Sequence, residues 1–321
     1  MKHALCVVLF FLLPSLASSS DELAFGVAKG TKLTKQFTMS MDVEKKNASL
    51  TFGGRDLPKE MQDKIEMTMS FGESVELDDE YVDMDGARPK ELVRHYSKAT
   101  RTSTEHFVMP GAEPNDKSEE QASPLVDHDV VFTWNAQQKD YDRAFRGEKA
   151  DAKLLEKLKE DTDLRKLLPD DAVKVGDTWK LDAKAFDQLV VPGGNLRYKD
   201  DDDSDLDFDK NASGELEAKY EEKREVDGVQ VAVVTVKGEL KSHSDKVGKD
   251  EVPMKMEIAF DLEGEFLWDL QHKHLRSYEM HGPAEITLSG ASEIDVKGEK
   301  FEMKMRFELA GDMKAAGKVA R

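Results

Sequence analysis

Apolar and polar residues alternate one for one over several stretches of this chain. Phe37, Met39, Met41 and Val43 are separated by Thr38, Ser40 and Asp42. Ile65, Met67, Met69 and Phe71 alternate with Glu66, Thr68 and Ser70. Met254, Met256, Ile258, Phe260 and Leu262 interleave with Lys255, Glu257, Ala259 and Asp261, and Phe301, Met303, Met305, Phe307 and Leu309 with Glu302, Lys304, Arg306 and Glu308. Coiled as helices, these segments would scatter charge around the cylinder; extended as strands, they carry every charge on one side. Shorter runs read the same way: Val130 to Trp134, Leu216 to Tyr220, Val229 to Leu240 after an Asp227-Gly228 hairpin turn, Phe266 to Leu270, Leu275 to Met280, Ile286 to Leu288 and Ile294 to Val296. One-sided alternation with short connections marks antiparallel sheets with one solvated face. The predicted fold is mainly β: a large curved or partly closed antiparallel sheet, with two stacked β units as the second choice.

One segment breaks the pattern. Leu154, Leu155, Leu158, Leu164, Leu167 and Leu168 recur at roughly helical spacing, which predicts a principal helix over Glu148 to Leu168, ended by Pro169 and packed on or beside the sheet. Residues 109–123 and 193–213, rich in turn formers and charge, read as flexible connections. The chain past residue 19 is then a single β-rich domain, with sub-units at 20–145 and 170–321 joined by the helix.

The N-terminus changes the picture of where the chain acts. Lys2 and His3 precede the apolar run Ala4 to Leu13, Pro14 breaks it, and small residues follow from Ser15 to Ser20. That layout predicts a secretory signal peptide over residues 1–19, because the run is far short of the ~20 residues that span a bilayer. Cys6 is the only cysteine and leaves with the leader, so neither a disulfide nor a catalytic thiol is expected in the mature chain. A disulfide-free exported chain of this size points to the periplasm or exterior of a bacterium. The formal charge of −19 repels phosphate backbones and anionic membranes, so neither nucleic acid nor stable membrane insertion is expected.

Candidate chemistry centres on the methionines. Four Met-x-Met pairs, Met39/Met41, Met67/Met69, Met254/Met256 and Met303/Met305, hold eight of the fourteen methionines. Residues two apart on a strand share a face, so each pair points its sulfurs the same way. Core packing is the plain reading; an adaptable apolar pocket for an acyl chain is the functional one, since unbranched, polarizable Met accommodates varied shapes. Cu(I) capture by thioethers is a third, disfavoured by the greasy neighbours.

The acidic run Asp200 to Asp209 fits no EF-hand frame: counting from Asp201 the sixth residue is Leu206, and from Asp203 it is Phe208, where Gly is required. His272-x-His274, with His281 nearby, is a candidate metal pair that the spacing places at a hairpin turn. His128 stands between Asp127 and Asp129, but adjacent residues point to different sides. No nucleophile elbow, His-Glu-x-x-His, P-loop or Rossmann pattern is present, so no enzyme activity and no cofactor is expected. Asn47-Ala48-Ser49 and Asn211-Ala212-Ser213 are glycosylation sequons in a eukaryotic host only.

Pro169 followed by Val173-Lys174-Val175-Gly176-Asp177-Thr178-Trp179 resembles a segment recurring in uncharacterised exported bacterial proteins of mostly β structure. The resemblance implies export and a β-rich fold and brings no activity with it. The expectation is a non-catalytic exported protein that holds an apolar or lipid-like ligand on a Met-rich sheet face; a structural or protein-interaction component of the cell envelope is the alternative.

Overall fold

The computed structural model describes residues 20–147, 151–190, 192–198, 211–247, 254–296 and 299–321. Residues 1–19, the expected leader, and the acidic run from Asp200 to Asp209 lie outside the described residues, as does the Glu148 end of the expected helix. The strands are β1 (Lys32–Phe52), β2 (Arg55–Asp56), β3 (Glu66–Asp85), β4 (Arg88–Val108), β5 (Asn115–Ala122), β6 (Asp129–Asn135), β7 (Asp140–Phe145), β8 (Thr178–Leu181), β9 (Ser213–Val226), β10 (Val229–Val247), β11 (Met254–Asp269), β12 (His274–Val296) and β13 (Glu299–Ala320). They form one antiparallel sheet in the order β7-β6-β4-β3-β1-β13-β12-β11-β10-β9-β8, with β2 added to β1 and β5 to β4. The sheet is open, with β7 and β8 at the two ends of this order, and it is a single sheet, not two stacked units.

Alternation explains the extended conformation. Along β1, Leu33, Lys35 and Phe37 are buried while Lys32, Thr34, Gln36 and Thr38 are exposed. The 21 residues of β1 reach about 70 Å at the usual rise, several times the typical strand. Several chain-neighbouring strands pair by short turns: Asp227 and Gly228, at φ 51° and 77°, make the expected two-residue turn between β9 and β10. The pairing of longest range is the seam between β1 and β13, which runs from Thr34 opposite Ala320 to Phe52 opposite Met303. It joins the strands that come first and last in the described chain, so the sheet is two meanders fused at its middle.

Two glycines make the seam region possible. A Cβ on Gly311 would stand 1.8 Å from the Asp42 carbonyl oxygen, and one on Gly282 would stand 1.8 Å from that of Asp261. Both obstacles are backbone, and neither can swing aside. Gly311→Ala is therefore expected to cost at least ~2 kcal/mol, as overpacking does, read as a lowered urea midpoint; an unchanged midpoint would contradict the close approach.

Over residues 151–168 the expected helix does not form. Residues 151–168 follow an irregular path with short 3-10 turns at Ala152–Leu155 and Arg165–Leu167. Leu164 takes a left-handed conformation at φ 54°, and Asp161, Thr162 and Asp163 are buried against the sheet. The leucines are buried as expected (Leu155, Leu158, Leu164, Leu167), but each is delivered by its own turn. The stretch 109–123 is also not unstructured. Residues 115–122 form β5, laid along β4 from Thr100 to Phe107; such an edge strand needs only backbone partners and so lacks an apolar signature. Of 193–213, Leu196 and Tyr198 are buried and belong to the covering segment. Downstream of Pro169, Val173 is buried, Val175 is 44 % exposed, and Gly176 turns the chain at φ 97°. Trp179, half-buried on β8, donates its indole N–H to Leu167 O at 3.0 Å.

Candidate functional site

Directly opposed residues of an antiparallel ladder share a face, so the register places the methionines. One row runs Met69, Val43, Gly311, Ala284, Phe260. The next holds Phe71, Met41, Met313 and Gly282, and beyond it Met39 faces Glu73 and Ala315. Toward the opposite end of β1, Leu50 faces Met305, which with Gly290 leads to Met254; Ala48, Phe307 and Leu288 lead to Met256; and Phe52 faces Met303. Met67 lies two residues from Met69 on β3. All eight methionines therefore project from one face of one sheet. Met256 is buried, and the other seven are half-buried.

That face has two regions. Over one, residues 151–198 form a cover. Phe186 lies 6.2 Å from Phe260, Tyr278 Oη donates to Leu189 O at 3.3 Å, and Ser123 Oγ donates to Leu196 O. Leu164, Leu167, Leu168 and Trp179 enclose, with Val234, Phe266, Trp268 and Leu275, an apolar cavity of about 20 Å³, room for about one water. Over the other region, Met67, Met69, Phe71, Phe107, Met254, Met303 and Met305 keep partial exposure. There Phe107 of β4 meets Phe307 of β13 edge-on, centroids 5.9 Å apart.

The cover is latched to the sheet by buried charges. Lys35 Nζ of β1 is within 2.9 Å of Asp79 Oδ2 and Tyr81 Oη, and within 2.8 Å of Thr162 Oγ1 and Asp163 Oδ1. Tyr81 Oη donates in turn to Asp163 Oδ2 at 2.5 Å. Arg94 of β4 grips Asp79 with Nε at 2.7 Å and Nη2 at 3.0 Å, and donates to the Lys159 and Glu160 carbonyls. Arg165 pairs with Glu160 and, at 3.1 Å, with Asp161. Lys35, Asp79 and Arg94 side chains have 0 % exposure. Burial pushes the Asp79 carboxyl up, but Arg94 and Lys35 outweigh it and hold it at about 2. Burial, helped by Asp161, wins at Glu160 against Arg165 and raises it to about 7. The charges agree: Lys35, Arg94 and Arg165 balance Asp79, Asp161 and Asp163, and Glu160 is the surplus carboxyl.

Sequence reasoning missed this latch, though a signal was there. Lys35 sits between Leu33 and Phe37 at the buried parity, Asp79 between Leu77 and Tyr81, and Arg94 between Leu92 and Tyr96. Three charges at inward positions of three strands announce one another.

The histidines separate. Asp129, next to His128 in the chain, bonds His95 Nδ1 at 2.8 Å, while His128 lies edge-on to Phe145. His281 pairs with Glu263 at 3.2 Å, both exposed. His272 and His274 stay together at the β11–β12 turn, and His274 is only 3 % exposed; burial lowers its pKa.

No helix among the described residues is long and apolar enough to cross a membrane. No family model and no curated protein matches the chain. Among solved structures, an outer-membrane channel from Pseudomonas putida F1 aligns over 96 % of this chain and 100 % of its own, at 8 % identity and a TM-score of 0.19, a likeness too slight to bear on the fold or the function.

Proposed function

We propose that this chain is an exported, non-catalytic carrier that holds an apolar or lipid-like molecule against the uncovered, methionine-rich region of its sheet. One observation carries the reading: Met67, Met69, Met254, Met303 and Met305, on a single face, remain half-buried in the region outside the 151–198 cover. Contiguous apolar surface of that kind marks binding sites more often than chance exposure, and Met accommodates acyl chains of varied shape. The Phe107–Phe307 contact supports a curved wall. Their strands are three steps apart, about 14 Å in a flat sheet, and the rings stand 5.9 Å apart, as an inward-curving face would bring them. The small cavity beneath the cover is no place for such a ligand. The opposite face, with Thr34, Gln36, Asp42 and Glu44 exposed on β1, suits water and is the reverse of a membrane barrel's lipid-facing band. The leader-like N-terminus supports release into a periplasm or the exterior, with a bacterial host the natural setting.

The test is uptake of a fluorescent fatty acid by delipidated protein. The Met69→Glu/Met305→Glu variant is expected to bind about tenfold more weakly or worse, since each buried Met side chain is worth ~1.5–3 kcal/mol. No uptake by the parent protein, or equal uptake by the variant with its circular dichroism unchanged, would end the carrier reading.

A further inference from the structure

We propose that Asp269, His272 and His274 form a binding site for a divalent first-row transition-metal ion such as zinc, at the hairpin between β11 and β12. Their donor atoms lie within 4.8 Å of one another, and two imidazoles with one carboxylate are a donor set that such ions accept.

The turn itself prearranges the ligands. Asp269 Oδ1 accepts the backbone N–H groups of Gln271 at 2.8 Å and His272 at 2.7 Å. Lys273, at φ 55°, closes the turn with its N–H on Asp269 O at 2.9 Å. Those bonds occupy Oδ1 and leave Oδ2 turned to the imidazoles, with His272 Nδ1 at 2.9 Å and His274 Nε2 at 3.9 Å.

His274 supplies the second, independent observation. Its Nδ1 is 2.6 Å from the Leu275 carbonyl oxygen. A carbonyl only accepts, so Nδ1 carries the hydrogen, and the lone-pair nitrogen Nε2 is the one aimed at the carboxylate. This is the outer bond that orients metal-binding histidines. Two acceptors facing each other, on side chains 4 % and 1 % exposed, repel unless a proton or a cation stands between them. The second histidine on the same carboxylate favours the metal. Donors around a tetrahedral ion stand about 3.3 Å apart, between the two distances from Asp269 Oδ2 to the imidazoles, and the two imidazole donors stand within 4.8 Å of each other. His272, with 38 % of its side chain exposed, can turn to adjust its distance and opens the fourth position to water.

The experiment is equilibrium dialysis of the untagged protein against micromolar zinc chloride, with bound metal measured by mass spectrometry. About one zinc per chain is expected, as structural three- and four-ligand sites retain. His272→Ala and His274→Ala are expected to weaken binding by about 100-fold or more, beyond the loss that an outer-sphere change causes. His281→Ala, which removes an exposed histidine elsewhere, is expected to leave it unchanged. Because Asp269 holds the turn through backbone amides, His272→Ala keeps the fold, and circular dichroism checks it. Absence of bound zinc in the parent protein, or undiminished binding by folded His272→Ala, overturns the site.

Discussion

Replacing Arg94 with methionine is expected to lower folding stability by about 3–5 kcal/mol, the usual consequence of stranding one partner of a buried ion pair. The physical cause is Asp79. With Arg94 present, both carboxylate oxygens receive guanidinium hydrogens at 2.7 and 3.0 Å, and Lys35 adds a third donor. Methionine fills much of the arginine's volume but donates nothing. It leaves an under-compensated carboxylate fully buried, and it also takes a donor from the Lys159 and Glu160 carbonyls that Arg94 serves. The urea midpoint measures the loss. Arg224→Ala is the control: its partners Glu222 and Glu265 lie on the exposed surface, where such pairs contribute ~1 kcal/mol or less. Equal effects of the two substitutions would show that the latch is not the buried cluster described above. Replacing the whole cluster with apolar side chains is a different experiment and can be neutral or stabilising. The penalty comes from breaking the pair, not from lacking it.

A second large effect is expected from pH. Glu160 has its pKa raised to about 7 from an ordinary 4.5, so the folded protein holds that proton more tightly than the unfolded chain. Its contribution to stability is complete below the unfolded value and is lost as pH rises through about 4.5 to 7, by roughly 3 kcal/mol. Asp79 behaves oppositely. Held at about 2 against an ordinary 3.8, it contributes stability above its unfolded value and loses it as pH falls from about 4 to 2, by roughly 2 kcal/mol. The urea midpoint is therefore expected to peak near pH 4–5 and decline on either side. Glu160→Gln keeps an acceptor for Arg165 and removes the titration, so it is expected to flatten the neutral limb alone. A neutral limb as steep in that variant as in the parent protein would assign the slope to other groups.

The sequence pattern revealed strands wherever one parity was purely apolar. The runs beginning at Phe37, Met254 and Phe301 fall within β1, β11 and β13, and the run beginning at Ile65 enters β3 at Glu66. It went blank from Glu73 to Val108, where Glu73, Asp79 and Arg94 occupy buried positions and erase the contrast between faces. The same charges explain the failure over 151–168. Leucines at three- and four-residue spacing satisfy a helix, but they equally satisfy a chain that must bury a leucine at each turn. Deciding between the two required knowing that Asp163 reaches Lys35, a contact that spans 128 residues and that no local window contains. The methionine parity was legible because it is local. How much of that face lay open was not, since it depends on where the cover ends. His272-x-His274 was visible as a pair, but its link to Asp269 comes from the turn geometry, and His274's burial comes from tertiary packing.

The β1–β13 seam has a consequence for how the molecule comes into being. During synthesis, β1 emerges from the ribosome long before β13 exists to zip against it, so the early meander waits with its longest edge bare and its sulfur-rich side unshielded. Loop-closure entropy across such a span makes acquisition of the native state slow, and unpaired edges of this length recruit one another. A holding chaperone, or threading across a membrane before folding begins, would keep nascent copies apart. Trimming β13 would then be expected to yield aggregates, because it strips β1 of its partner along the whole seam and is not a dispensable end.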